Sequence, residues 1–154
     1  MPRPLLVLSA LVVAATGTPA GEPFDPVAFK QAGVTAAWAK YADRLTFGKG
    51  QTLALVDDGC TLSRPEWADA DGDRPKVLVC HDSVDGDDDP KHEGRGYHGT
   101  TIGFPSSLNH KGKWGVAYNN QVAVVRGLEC CHCKLTDARS LAAGLKWVRE
   151  NHKK

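Results

Sequence analysis

Two short stretches of this 154-residue chain carry residues suited to acid–base chemistry. Thr52 to Val56 is a nearly continuous apolar run that ends in Asp57-Asp58-Gly59. A carboxylate directly after a buried strand is partly desolvated, so it must accept hydrogen bonds or pair with a cationic group. The same three residues also read as a plain turn with both carboxylates in water. The second stretch is Gly94-Arg95-Gly96-Tyr97-His98-Gly99-Thr100-Thr101-Ile102-Gly103. Its glycines allow close approach of backbone, and an imidazole at the start of a helical turn can take up and return a proton near neutrality, provided a carboxylate holds the correct tautomer. His98 is one of 6 histidines, and a single histidine read alone is more often structural or solvated.

Two further clusters suggest metal or thiol chemistry. Asp85-Gly86-Asp87-Asp88-Asp89-Pro90 follows Asp69-Ala70-Asp71-Gly72-Asp73, and alternating carboxylates around a glycine turn suit a hard cation such as calcium, which takes six to eight oxygens. The full EF-hand pattern is absent, so Asp85, Asp87, Asp88 and Asp89 read either as calcium ligands or as a solvated acidic loop. The 5 cysteines are Cys60, Cys80, Cys130, Cys131 and Cys133. Adjacent residues in Cys130-Cys131-His132-Cys133 cannot easily all face one tetrahedral ion, and no second pair at zinc-finger spacing exists. Disulfides, a metal site and a reactive thiol all stay open, and the odd number leaves at least one thiol without a partner inside the chain.

The elements that must position these residues alternate. Val34, Ala37, Trp38 and Tyr41 lie on one face of a short helix over 34–42, which Gly48-Lys49-Gly50 brings to an end. Thr52 to Val56, Lys76 to Cys80 and Gln121 to Val125 read as short strands covered on both faces. Asp137 can cap a helix on which Leu141, Leu145 and Val148 share a face with Trp147 beside them. Such alternation predicts an α/β fold, a parallel sheet with helices on both faces. Function in these sheets gathers beyond the carboxyl ends of the strands, where Asp57 stands.

Composition sets the compartment and the class of partner. With 19 basic and 18 acidic side chains the chain lacks the positive excess of a nucleic-acid binder. Charge is uneven along it: residues 69–93 are mostly acidic and residues 94–154 mostly basic, so the two regions can pair in space. Arg3, the apolar run Leu5 to Thr16 and the small residues Thr18-Pro19-Ala20 form a secretory signal pattern, too short to span a bilayer, which needs about 20 residues. Cleavage is expected after Ala20, giving a secreted or periplasmic product in which disulfides are permitted.

Taken in order, the motifs resemble those of the subtilisin-like serine proteases, the subtilases. Leu53-Ala54-Leu55-Val56-Asp57-Asp58-Gly59 is similar to the family's aspartate motif, and His98-Gly99-Thr100 to its His-Gly-Thr motif. Val84 to Pro90 resembles the acidic loop before that histidine, while Gly115-Val116-Ala117 and Val122 to Val125 resemble the Gly-Val-Ala segment and the strand after it. The resemblance covers about residues 34–150. With the signal pattern over 1–20 and a short extension over 21–33, it implies a partial subtilase catalytic domain over 34–154, with a fold that stops short at its C-terminus. It also implies peptide-bond hydrolysis by an Asp-His-Ser triad, with His98 as general base, Asp57 orienting its ring, a protein or peptide as substrate and no cofactor needed for the chemistry.

The chain departs from that pattern in three places. Thr101-Ile102-Gly103-Phe104-Pro105 stands where the family continues His-Val-Ala-Gly, and Pro105 predicts a short or kinked helix after His98. Asp58 replaces the usual Ser or Thr. In subtilisin the nucleophile follows the histidine by roughly 150 residues; here Ser106, Ser107 and Ser140 are the serines after His98, and none has the family's Gly-Thr-Ser-Met-Ala context. The chain by itself is therefore expected to be inactive and marginally stable, the remainder of the domain being a missing partner. Two other classes compete: a secreted noncatalytic module that binds calcium or another partner, and a haloacid-dehalogenase-type phosphotransferase. The latter needs a second carboxylate where this chain has Gly59.

Overall fold

The structure is a computed structural model that describes residues 21–67, 75–91, 98–129 and 138–151. The signal pattern, Asp69 to Asp73, Gly94 to Tyr97, Asp137 and the cluster Cys130 to Cys133 lie outside the described residues. No helix among those described is long and apolar enough to cross a membrane.

The chain opens with β1 (Glu22–Pro23), α1 (Pro26–Gln31) and α2 (Val34–Lys40). Asp25 caps α1, its carboxylate accepting the Val27 and Ala28 N–H groups, and Pro26 takes the first helical position, where no N–H is needed. The central sheet is β2 (Thr52–Asp57), β6 (Gln121–Arg126) and β3 (Val77–Asp82), parallel throughout, in the order β2-β6-β3. β6 is buried along nearly its whole length, as a strand flanked and covered on both faces must be, so its sequence is apolar without alternation. A small second sheet, β1-β5-β4, joins β4 (Asn109–His110) to β5 (Lys113–Trp114). Lys111 and Gly112 both have positive φ (47° and 75°), the geometry of a two-residue hairpin turn whose twist matches its strands.

Each face of the central sheet is covered by a helix. On one face Leu55, Val122 and Val124 pack with Cys60, Trp67, Phe104 and Leu108, three of them in or next to α3 (His98–Ser107) and the turn at Pro65–Trp67. Gly103 permits this contact, since a Cβ there would lie 2.6 Å from the Trp67 ring and 3.1 Å from Leu55. On the other face α4 (Ala138–Asn151) lies against β2 and β6. Gly144 meets Val125 and Val56, and Trp147 stacks flat on His81 of β3, centroids 4.9 Å apart.

One helix expectation is corrected. Leu145 does not share the packed face of α4: it is 55% exposed, because the close contact is made through Gly144 and the helix is rotated to place that glycine on the sheet. α3 runs through Pro105 and ends two residues later. Its last turn is finished by Gly115-Val116-Ala117, whose N–H groups bond the carbonyls of Leu108, Pro105 and Ser106. Gly115 is required there, since a Cβ would lie 2.6 Å from the Ser107 nitrogen.

An aromatic cluster anchors the amino-terminal helices. Trp38 meets Phe29, Phe47 and Tyr118 edge-on at 5.8 to 5.9 Å, and Tyr118 stacks on Phe47 and Trp114. Lys76, 3% exposed, donates to the carbonyls of Tyr118 and Asn120 and to the Asn120 side chain. These three acceptors offset the cost of burying its ammonium group.

Candidate active site

Asp57 is the last residue of β2, at the carboxyl edge of the sheet, and His98 is the first residue of α3. Gly59 turns the chain with φ of 101°, and the backbone of Gly99 then comes so close that a Cβ would lie 2.3 Å from the Gly59 carbonyl oxygen and 3.1 Å from the Asp57 Cβ. Only glycine at position 99 allows that approach. The result is that His98 Nδ1 sits 2.8 Å from Asp57 Oδ1 and 3.0 Å from Oδ2. With a neutral ring, the nitrogen next to the carboxylate carries the proton and Nε2 is left as the basic atom.

The surroundings fix the carboxylate and leave the ring open. Asp57 is buried, whereas the His98 side chain is 56% exposed. Among the described residues the ring of His98 hydrogen-bonds Asp57 alone. Asp57 Oδ1 also accepts the Asp58 N–H at 2.8 Å, and its backbone carbonyl accepts N–H bonds from Gly127 and Leu128 at 2.8 and 3.2 Å. The His98 imidazole titrates above the ordinary histidine value, chiefly through the hydrogen bond to Asp57 and then through the charges of Asp57 and Asp58.

Asp58 points the other way from the open turn that its sequence context allows. It is fully buried and accepts the Gly99 N–H at 2.8 Å, satisfying one of the orphan donors at the start of α3. Thr100 ties the same joint from the helix side, its hydroxyl accepting the Thr61 N–H at 2.9 Å.

The carboxylates of the acidic loop each have a partner within the protein. Asp85 pairs with Arg126 at 2.5 Å, Asp87 accepts the Asp89 N–H, Asp88 faces His81 at 3.4 Å, and Asp89 accepts the Lys91 N–H. Among the described residues no three carboxylate, imidazole or thiol groups come together as a metal-binding set. Cys60 and Cys80 are free thiols. Burial pushes the Cys60 thiol up to about 12 and raises that of Cys80, so neither is a ready nucleophile.

Arg126 is the site residue that sequence reasoning missed. It ends β6 in register with Asp57 on one side and Asp82 on the other, is 4% exposed, and bonds Asp82 at 2.7 Å. The signal was present in Gln121-Val122-Ala123-Val124-Val125-Arg126: a cation closing a buried strand needs a buried anion, and Asp82 ends a neighbouring one.

No family model matches the chain, and no curated protein matches it. Among solved structures it is similar to a cold-adapted subtilisin-like serine proteinase, with TM-score 0.53 and 26% identity over 68% of this chain and 33% of the other. A second match is the Aeromonas sobria serine protease in complex with its chaperone, with TM-score 0.47 and 26% identity over 70% of this chain and 17% of that one. The fold comparison rests on the first. The chain thus spans about a third of the length of the proteinase it resembles. A parallel sheet between two helices, Asp57 and His98 in contact at its carboxyl edge, and this likeness together make the described part of the chain a subtilase-like region.

Proposed function

We propose that the chain supplies the aspartate–histidine part of a secreted serine-type endopeptidase, which hydrolyses peptide bonds by an Asp-His-Ser triad. The observation that carries this reading is the 2.8 Å contact between His98 Nδ1 and a buried Asp57, with the His98 side chain more than half exposed. Asp57 holds the tautomer and stabilises the imidazolium, and His98 Nε2 takes the proton of an attacking hydroxyl and returns it to the leaving amine.

The three serines after His98 each hydrogen-bond a group other than His98. Ser106 donates to the Ile102 carbonyl, Ser140 donates to the Gly127 carbonyl, and buried Ser107 accepts from Asn120. The chain alone is therefore proposed to be inactive, and the attacking serine comes from elsewhere in the complete site. The test is fluorophosphonate labelling of the natural secreted product together with its intact mass under denaturing conditions. A labelled product heavier than this chain is expected. An unlabelled product with the mass of residues 21–154 would sink the protease reading and leave a noncatalytic binding module.

A further inference from the structure

We propose that Arg126 is a positioning residue for the Asp57–His98 pair, its guanidinium serving the 82–90 turn as a built-in cation and fixing the strand end on which Asp57 hangs. This rests on the reading of Asp57 and His98 as an acid–base pair. Arg126 Nη1 bonds Asp82 Oδ2 at 2.7 Å and Asp85 Oδ2 at 2.5 Å, and the side chains of Arg126 and Asp82 are 5% and 1% exposed. A buried guanidinium and carboxylate hold each other in place because either one alone would be an uncompensated charge.

Asp82 passes that anchorage to the turn. Its Oδ1 accepts the N–H groups of Val84 and Asp85 at 2.7 and 3.0 Å. Its own N–H bonds the Asp87 carbonyl, and the Ser83 N–H bonds the carbonyl of Arg126. The turn so fixed leads to Pro90, whose carbonyl accepts the Cys60 N–H at 2.9 Å, just beyond Gly59. On the other side, Gly127 and Leu128, directly after Arg126, bond the Asp57 carbonyl. The segment from Asp57 to Cys60 is held at both ends by backbone that the Arg126–Asp82 pair locks. Neutralising Arg126 leaves Asp82 without its cation, loosens both attachments and moves the Asp57 carboxylate away from the His98 ring.

The test is the proton titration of His98, followed by NMR in the full chain, for Arg126→Met, Arg126→Lys and Asp57→Asn. The charged groups acting on His98 are Asp57 and Asp58, so Asp57→Asn is the control and must lower its titration. Arg126→Met is expected to lower it as well, toward the ordinary imidazole value, and Arg126→Lys to restore most of the difference. Loss of a nearby positive charge with the geometry intact would instead raise the titration. An unchanged or raised value in Arg126→Met, alongside a lowered one in Asp57→Asn, overturns the positioning role. No change in Asp57→Asn overturns the acid–base pair itself. Should Arg126→Met not fold, Arg126→Met with Asp82→Leu replaces the buried pair by apolar groups, a swap that is often neutral or stabilising. The same measurement and criteria apply to it.

Discussion

The raised titration of His98 ties the site to pH in one direction. Its protonated form is favoured by Asp57 in the folded chain, so that contact stabilises the fold fully below the ordinary imidazole value of about 6.5. The stabilisation is lost as pH rises through the higher folded value. Melting temperature is expected to fall across that window in the wild-type chain and to stay flatter in His98→Gln, as thermal melts from pH 5.5 to 8.5 would show. General-base action has the opposite requirement, since only the neutral ring accepts a proton. Any hydrolysis by the complete site therefore rises with pH through the same folded value. Gly99→Ala is the sharpest probe at this scale: its methyl group would collide with the Gly59 carbonyl. The expected cost is about 1–3 kcal/mol, read from denaturant melts, together with an His98 titration shifted back toward the ordinary value. Asp57 and His98 were legible because an acid closing an apolar strand and an imidazole among glycines both stand out in sequence. Asp58 was not, since nothing local shows that its carboxylate reaches a backbone N–H 41 residues away.

Among the elements, glycines decide which helix face meets the sheet. The strands over Thr52–Asp57, Val77–Asp82 and Gln121–Arg126 were readable to within two residues, because the strands of a parallel sheet with a helix on each face leave continuous apolar runs, although only Gln121–Arg126 is buried nearly throughout. The packed face of α4 was not, since a hydrophobic pattern names Leu145 whereas close approach selects Gly144. Gly144→Val should separate α4 from Val125 and Val56 and is expected to destabilise the chain by about 1–3 kcal/mol. Leu145→Gln, on an exposed side chain, should change stability by less than about 0.5 kcal/mol. Equal losses in denaturant melts of the two variants would show that the helix is seated otherwise. Pro105 could be read as a limit on α3, but its carbonyl partner Val116 belongs to a later segment, and no local rule connects them.

Across the whole molecule, the central sheet has open edges at β2 and β3 among the described residues, with Leu53 and Leu78 each 37% exposed. Unprotected parallel edges are templates for pairing with other chains. The chain is expected to self-associate as its concentration rises, and a single monomer boundary in sedimentation at millimolar concentration would contradict this. The carboxylates from Asp85 to Asp89 are occupied by Arg126, His81 and backbone N–H groups, so neither calcium nor a chelator should move the melting temperature; a rise with calcium would mean the loop rearranges around the ion. The carboxylate spacing is legible in the sequence, whereas the Arg126 that lies opposite Asp85 in space is not. The contact between Gly59 and Gly99 has a broader effect. Backbone meets backbone there with no side chain between, so the separation of acid and base is a property of the chain path. A saturation library of the surrounding core should therefore yield many variants of reduced stability in which the His98–Asp57 contact persists, and variants that lose it while still folded should concentrate at the two glycines and at the residues that grip their backbone.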